Sequence, residues 1–179
     1  MTDPLVSIIM RSFNEGWALR ETLPALRAQE YSNWELIVID SGSTDGSVEM
    51  VRAAQPRHFI HIQPHEYNPS RVMNQGMQLA RSEFCIFLNA DATPQGANWL
   101  RPLVTGLVDP QTAAVFGRQV PRPDCWASSV RRCRRKCAVR PGARARAGQC
   151  QCLTKKMTTA SMMKQMRRPA GSDGHENCR

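Results

Sequence analysis

Carboxylates, amides and hydroxyls gather in three short polar segments, each after an apolar run. Ser12, Phe13, Asn14 and Glu15 follow LVSIIM and Arg11; Asp40 closes ELIVID and leads into SGSTDGS; Asn89, Ala90 and Asp91 follow EFCIFL. A carboxylate at Asp40 can accept hydrogen bonds from a base or a ribose. Gly42 and Gly46 allow the backbone close to a ligand. A carboxylate at Asp91 can hold Mg²⁺ together with phosphate oxygens, since that ion suits one or two carboxylates plus phosphate. Each segment also has a purely structural reading. Asp45 or Ser47 would cap the helix after the SGSTDG loop, and Asp91 or Thr93 would cap the helix after Pro94.

The elements that must position these segments follow from periodicity. Leu5–Met10, Glu35–Ile39 and Glu83–Leu88 are short apolar runs of the kind buried on both faces of a sheet; His58–Ile62 is a weaker, more polar strand. Leu19, Leu23 and Leu26 keep helical spacing, with Pro24 interrupting that helix or near its first turn. Helices are also expected at Val48 and Val51, from Pro69 through Ala80, and around Trp99 to Leu107. A fifth strand is expected at Thr112–Phe116. Strands alternating with helices imply a mostly parallel sheet, in which ligands bind beyond the carboxyl ends of the strands. All three polar segments fall on that edge. Arg71 and Asn74, three apart on one helix, share a face that could meet the same ligand, with Arg71 on phosphate. His58, His61 and His65 are too dispersed for a metal site. Neither GxGxxG nor GxxxxGK[ST] occurs, so the usual dinucleotide and P-loop signatures are missing.

Composition divides the chain. The net charge of +9 suggests a nucleic-acid partner, but through Trp126 there are 10 Lys and Arg against 13 Asp and Glu, and from Ala127 there are 14 against 2. All 11 aromatic residues lie at or before Trp126. The remainder is too poor in apolar residues to offset the entropy of ordering it. One folded unit over 4–124 and a disordered basic tail over 127–179 are therefore expected. Five of the seven cysteines lie in that tail, at spacings that do not match paired zinc ligands. Its basic run RRCRRK carries no interleaved aromatics for stacking on single strands. A nucleic-acid-binding role through the tail is the least favoured function class. Cys85, inside an apolar strand, is expected to be a buried free thiol. The start lacks a secretory pattern and no run approaches the ~18 apolar residues of a membrane span, so a cytoplasmic protein, peripheral at most to the inner membrane face, is expected.

VSIIMRSFNE, ELIVIDSGSTDGS and FLNADATP, in that order, closely resemble the family 2 glycosyltransferases with the GT-A fold, from about Leu5 to Asp124. The resemblance implies a Rossmann-like three-layer sandwich that binds a nucleotide-diphosphate sugar and transfers the sugar, with inversion, to an acceptor hydroxyl in polysaccharide or cell-envelope glycan synthesis. It implies donor contacts from Ser12, Phe13, Asn14, Glu15, Asp40, Asp45, Arg71, Asn74, Asn89 and Ala90. Asp91 matches the last position of the family's DxD metal motif, for Mg²⁺ or Mn²⁺. Asn89 stands at the first position of that motif, where an amide is a weaker ligand than a carboxylate. HEYNPSRVMNQG together with FLNADATP is similar to the rhamnosyltransferase-type subgroup, which points to a deoxythymidine-diphosphate sugar and a glycan or lipid-linked acceptor. The family's catalytic base lies downstream of the DxD motif. Here that region offers only Asp173 and Glu176 beyond residue 126, so no catalytic residue is assigned. A shifted reading frame of a GC-rich gene would account for the tail, leaving a truncated protein that binds the donor without transferring it.

Overall fold

The computed structural model describes residues 3–118, 120 and 152–155. Four strands lie parallel and adjacent: β1 (Val6–Ser12), β2 (Trp34–Asp40), β3 (His58–His61) and β4 (Phe84–Asn89). The crossovers between them are helices α1 (Gly16–Arg27), α2 (Ser47–Ala53) and α3 (Pro69–Leu79). Beyond β4 come α4 (Leu100–Val108), β5 (Ala114–Phe116) and β6 (Cys152–Lys155). The sheet order is β3-β2-β1-β4-β6-β5, with β6 antiparallel to both of its neighbours.

Alternation along each strand sorts side chains to two faces. Val6, Ile8 and Met10 of β1 join Leu36 and Val38 of β2 and Ile86 and Leu88 of β4 against α1, α2 and α4. Ile9, Ile37 and Cys85 point the other way, toward α3, with Ala80. The result is the expected three-layer α/β sandwich, and Cys85 is a buried free thiol. Helix α3 comes so close to β1 that a Cβ on Gly76 would stand 2.4 Å from Ile9 Cγ2.

Three local expectations are corrected. Helix α1 continues through Pro24 rather than being interrupted there or starting near it. Leu19, Leu23 and Leu26 are all buried in one core, which outweighs a missing backbone hydrogen bond. Neither Asp91 nor Thr93 caps a helix, because α4 begins only at Leu100. Its first N–H groups are met from another element: Gln29 Oε1 accepts from Trp99 N at 2.9 Å and from Leu100 N at 3.1 Å. Residues 152–155, expected within a disordered tail, pair as β6 with the edge of β4, whose backbone groups on that side need partners. The rest of 127–179, including the other four tail cysteines and the RRCRRK run, lies outside the described residues.

At the amino-terminal edge of the strands, remote from the polar loops, Glu35 is buried at 6 % exposure. Its Oε1 accepts from Ser7 Oγ at 2.6 Å and Arg81 N at 2.9 Å, and its Oε2 from Arg81 Nε at 2.8 Å. Arg57 Nε lies 3.3 Å from the same Oε2. Burial alone would raise the Glu35 pKa, but the Ser7 and Arg81 bonds outweigh it and hold it below the ordinary 4.5. A depressed folded pKa gives stability that is complete above the unfolded value and is lost as pH falls through the folded one. Replacing Glu35 with Ala should cost about 2–3 kcal/mol at neutral pH, because Ser7 and the Arg81 amide lose their acceptor. Urea titrations at pH 7 and below pH 4.5 check this: the gap between wild type and variant should narrow at the acid end. A gap that stays constant with pH would assign the loss to packing instead.

Candidate functional site

The carboxyl ends of β1, β2 and β4 converge on one edge, as the parallel sheet requires. Two of the three loops there are knit by side chains. Asn14, at φ 51, occupies the left-handed region that Asn tolerates better than most residues. From there its Oδ1 accepts from Thr44 N at 2.8 Å, and its own N–H donates to Ser43 Oγ at 2.8 Å. Asp45 serves two helix starts. Its Oδ2 accepts from Gly16 N at 2.9 Å, and its Oδ1 accepts from Ser47 N at 3.1 Å and Ser47 Oγ at 2.5 Å. Burial works against the Asp45 carboxylate, yet the Ser47 and Gly16 bonds hold its pKa below the usual value. The expected cap is corrected: Gly46, at φ 87, is the N-cap of α2, Ser47 is the first helical residue, and Asp45 one position earlier supports the first N–H of α2 and of α1 instead.

Asp40 is fully buried. Its Oδ1 accepts from Gly42 N at 3.1 Å and Ser43 N at 2.8 Å, its Oδ2 from Ser43 Oγ at 2.5 Å, and His61 Nδ1 lies 3.1 Å from Oδ1. The carboxylate thus shapes the loop from beneath. Gly42, at φ +91, passes so close to Pro64 that a Cβ would meet Pro64 Cδ at 2.7 Å. Ala90 is also buried and works through its backbone. Its N–H donates to Arg11 O at 3.0 Å, and its carbonyl accepts from Thr22 Oγ1 at 2.8 Å.

These loops enclose a cleft of about 300 Å³ lined by Arg11, Ser12, Phe13, Glu15, Ser41, Pro64 and Tyr67. Ser12 is 3 % exposed, and its Oγ is a buried polar atom with no hydrogen-bond partner among the described residues. Buried hydroxyls are rarely left so. Phe13 presents its ring, 49 % exposed. Glu15 is half-buried, and its pKa is pushed up to about 7, first by desolvation and then by the nearby charge of Asp91, against the pull of the Phe13 N–H and of Arg11. A carboxyl in that state exchanges a proton near neutrality. It would also ionise readily beside a cation.

Arg11, Ser41, Pro64 and Tyr67 were not singled out from sequence. Arg11 directly precedes the first polar segment and breaks the apolar run of its strand, which was the available signal. Tyr67 gave none, since a loop after β3 has no fixed partner in sequence. Asn89 and Asp91 are exposed at the end of β4 beside this cleft. Asn89 Oδ1 accepts from Arg11 Nε at 2.8 Å. Arg71 and Asn74 do share a face of α3, but they line a different concavity of about 610 Å³ with Asn68, Gln75 and Gln78. Adjacent residues Tyr67 and Asn68 line one concavity each.

No group of three His, Cys, Asp or Glu that could hold a metal by itself occurs among the described residues. The edge suits a cation completed by ligand oxygens. Asp91 and Glu15 are carboxyls close enough for one to hinder ionisation of the other, and a dication would relieve that repulsion. No helix among the described residues is long and apolar enough to cross a membrane.

A family model described as glycosyl transferase family 2 matches residues 7–170, reaching past residue 124 where the motif resemblance ends. The O-antigen chain rhamnosyltransferase WbaN of Salmonella anatum is 32% identical over 123 residues, covering 68% of this chain and 39% of that protein. The O-antigen chain rhamnosyltransferase RfbN of Salmonella typhimurium is 30% identical over 120 residues, covering 66% and 38%. The chain thus spans about two fifths of the length of these relatives. Among solved structures, the mannosyltransferase PcManGT from Pyrobaculum calidifontis, in complex with GDP-Man and Mn²⁺, aligns with a TM-score of 0.62 at 22% identity, over 93% of this chain and 47% of that one. TarS 1–349 of S. aureus, in complex with UDP-GlcNAc, aligns with a TM-score of 0.59 at 17% identity, over 68% and 36%. At these identities the two structures speak for the fold.

Proposed function

The chain belongs to glycosyl transferase family 2, and on that premise we propose that the Arg11–Tyr67 cleft binds a nucleotide-diphosphate sugar for transfer, with inversion, to an acceptor hydroxyl in glycan synthesis. The observation that carries this reading is the cleft at the carboxyl ends of β1 and β2, where the Arg11 guanidinium, the half-buried Glu15 carboxyl and the exposed Phe13 ring meet. The exposed face of Phe13 offers a stacking surface for a base. Asp40, Asn14 and Asp45 act by fixing the loops around the cleft rather than by offering free acceptors. Asp91, with Glu15, would hold Mg²⁺ or Mn²⁺. When bound, the cation would neutralise the diphosphate as it leaves. Arg71 and Asn74 meet the donor only where it extends past Tyr67 and Asn68 into the second concavity. The rhamnosyltransferase relatives and the HEYNPSRVMNQG stretch favour a deoxythymidine-diphosphate sugar as donor.

A thermal-stability panel of nucleotide sugars, with and without Mg²⁺ or Mn²⁺, tests the reading. A ligand that binds only the folded chain adds about 2.7 kcal/mol at 100 times its Kd. At least one donor should therefore raise the melting temperature by several degrees. No shift with any donor, with or without metal, would remove the donor-binding claim.

A further inference from the structure

We propose that Arg11 is a fixed diphosphate-binding cation, so that nucleoside diphosphates bind this cleft without a divalent metal and a metal adds only a modest increment. The inference rests on the donor-cleft reading above and assigns the charge that would meet the donor's phosphates.

Arg11 belongs to the face of β1 that carries Ser7 and Ile9, both buried, but it lies at the exposed carboxyl end and lines the cleft. A free arginine side chain would lose much rotamer entropy on gripping a ligand. This one is already held. Its Nε donates to Asn89 Oδ1 at 2.8 Å, one terminal nitrogen donates to the Tyr67 hydroxyl, and the guanidinium carbon stands 5.6 Å from the centre of the Tyr67 ring. Much of the ordering cost therefore falls on folding rather than on binding.

The partners matter for their charge. An amide oxygen and a phenol hold the guanidinium without neutralising it. Arg57, Arg81 and Arg101 each lie within 4.0 Å of a carboxylate oxygen, and no such pair involves Arg11 among the described residues. Its remaining terminal nitrogen has no protein acceptor there. The carboxyls whose charges bear on this corner are Glu15, coupled to Arg11, and Asp91 and Asp45, both coupled to Glu15. A guanidinium held at the wall of the cleft, with one fork nitrogen lacking a protein acceptor among the described residues, matches the charge and acceptor oxygens of a diphosphate. Asn89 is then a positioning residue for Arg11.

The test is calorimetric binding of inorganic pyrophosphate and of UDP, GDP and dTDP to the full chain, first in EDTA and then with excess Mn²⁺. Wild type should bind at least one nucleoside diphosphate in EDTA and gain less than about tenfold from Mn²⁺. Loss of one charged hydrogen-bonding group predicts that Arg11→Gln weakens metal-free binding roughly 10- to 100-fold. The same variant should depend far more on Mn²⁺. Asn89→Ala should lose part of the same affinity, and the double variant should be no weaker than Arg11→Gln alone. If Arg11→Gln does not fold, Arg11→Lys, which keeps the charge but not the fork, decides: metal-free affinity equal to wild type overturns the proposal. So does a folded Arg11→Gln with wild-type affinity in EDTA, or a wild type that binds only with metal. Absence of any nucleoside diphosphate binding, with or without metal, overturns the donor-cleft reading itself.

Discussion

Asp91→Ala is expected to abolish the metal-dependent part of donor-induced stabilisation, lowering apparent metal affinity in the presence of nucleotide sugar by a factor on the order of 100. Asn89, two residues earlier, is occupied as a neutral acceptor for Arg11, so the β4 end offers a cation one carboxylate. Glu15 faces it from the β1 loop, but with a pKa near 7 it carries only a partial charge at neutral pH. Without Asp91 the end of β4 offers a hard cation no carboxylate, and the cation has little reason to prefer the site to water. The measurement is the thermal shift with donor, with and without Mn²⁺. The metal-free shift should survive in the variant, since Arg11 is untouched. A metal increment equal to that of wild type would contradict the role given to Asp91.

The same substitution has a pH signature whose sign is fixed. Glu15 has a folded pKa above its ordinary 4.5, so its contribution to stability is complete at pH below that value and is lost as pH rises toward 7. Burial is the larger cause and the charge of Asp91 the second. Asp91→Ala should therefore bring the Glu15 titration down only part of the way. NMR titration of the Glu15 carboxyl follows this directly. An unmoved titration would mean that the two carboxyls do not share a field.

Asp40→Ala should be the most damaging single substitution at the loops, costing about 3 kcal/mol and lowering the melting temperature by roughly 10 °C. The carboxylate is fully buried, and it accepts from two backbone N–H groups and the Ser43 hydroxyl while lying beside His61. Alanine leaves those donors to whatever water can enter. The Ser41–Thr44 loop then loses the anchor that sets one wall of the cleft, and donor-induced stabilisation should fall with it. Asp40→Asn keeps one carbonyl acceptor of the same size, so its loss should be less than half as large. An Asp40→Ala variant that melts like wild type yet no longer responds to donor would reverse the assignment and make Asp40 a direct ligand contact.

Much of this layout is legible in the sequence because it depends on local periodicity. Short apolar runs that lead into Ser12, Asp40 and Asn89, alternating with helical spacing, read as buried strands with polar carboxyl ends, and a parallel sheet puts those ends on one edge. What each polar residue does there was less accessible. Asp40 and Asp45 look like ligand contacts because they are carboxylates in a loop, yet their oxygens are taken by backbone amides and hydroxyls of neighbouring residues. Arg71 and Asn74 share a helical face as their spacing requires, but that face lines a separate concavity, while Gly76 of the same helix packs against Ile9 of the sheet.

The sequence by itself determined the family, the strand order along the chain and the edge at which chemistry can occur, since these rest on residue types at short, fixed spacings. Only the tertiary structure decided that Asn89 turns to Arg11, that Tyr67 closes on the same guanidinium, and that Glu15 and Asp91 share one field. Those pairs lie 78, 56 and 76 residues apart in the chain. No propensity or spacing couples residues at such separations. They meet because the sheet brings the ends of β1 and β4 side by side, and the loop after β3 folds back across them.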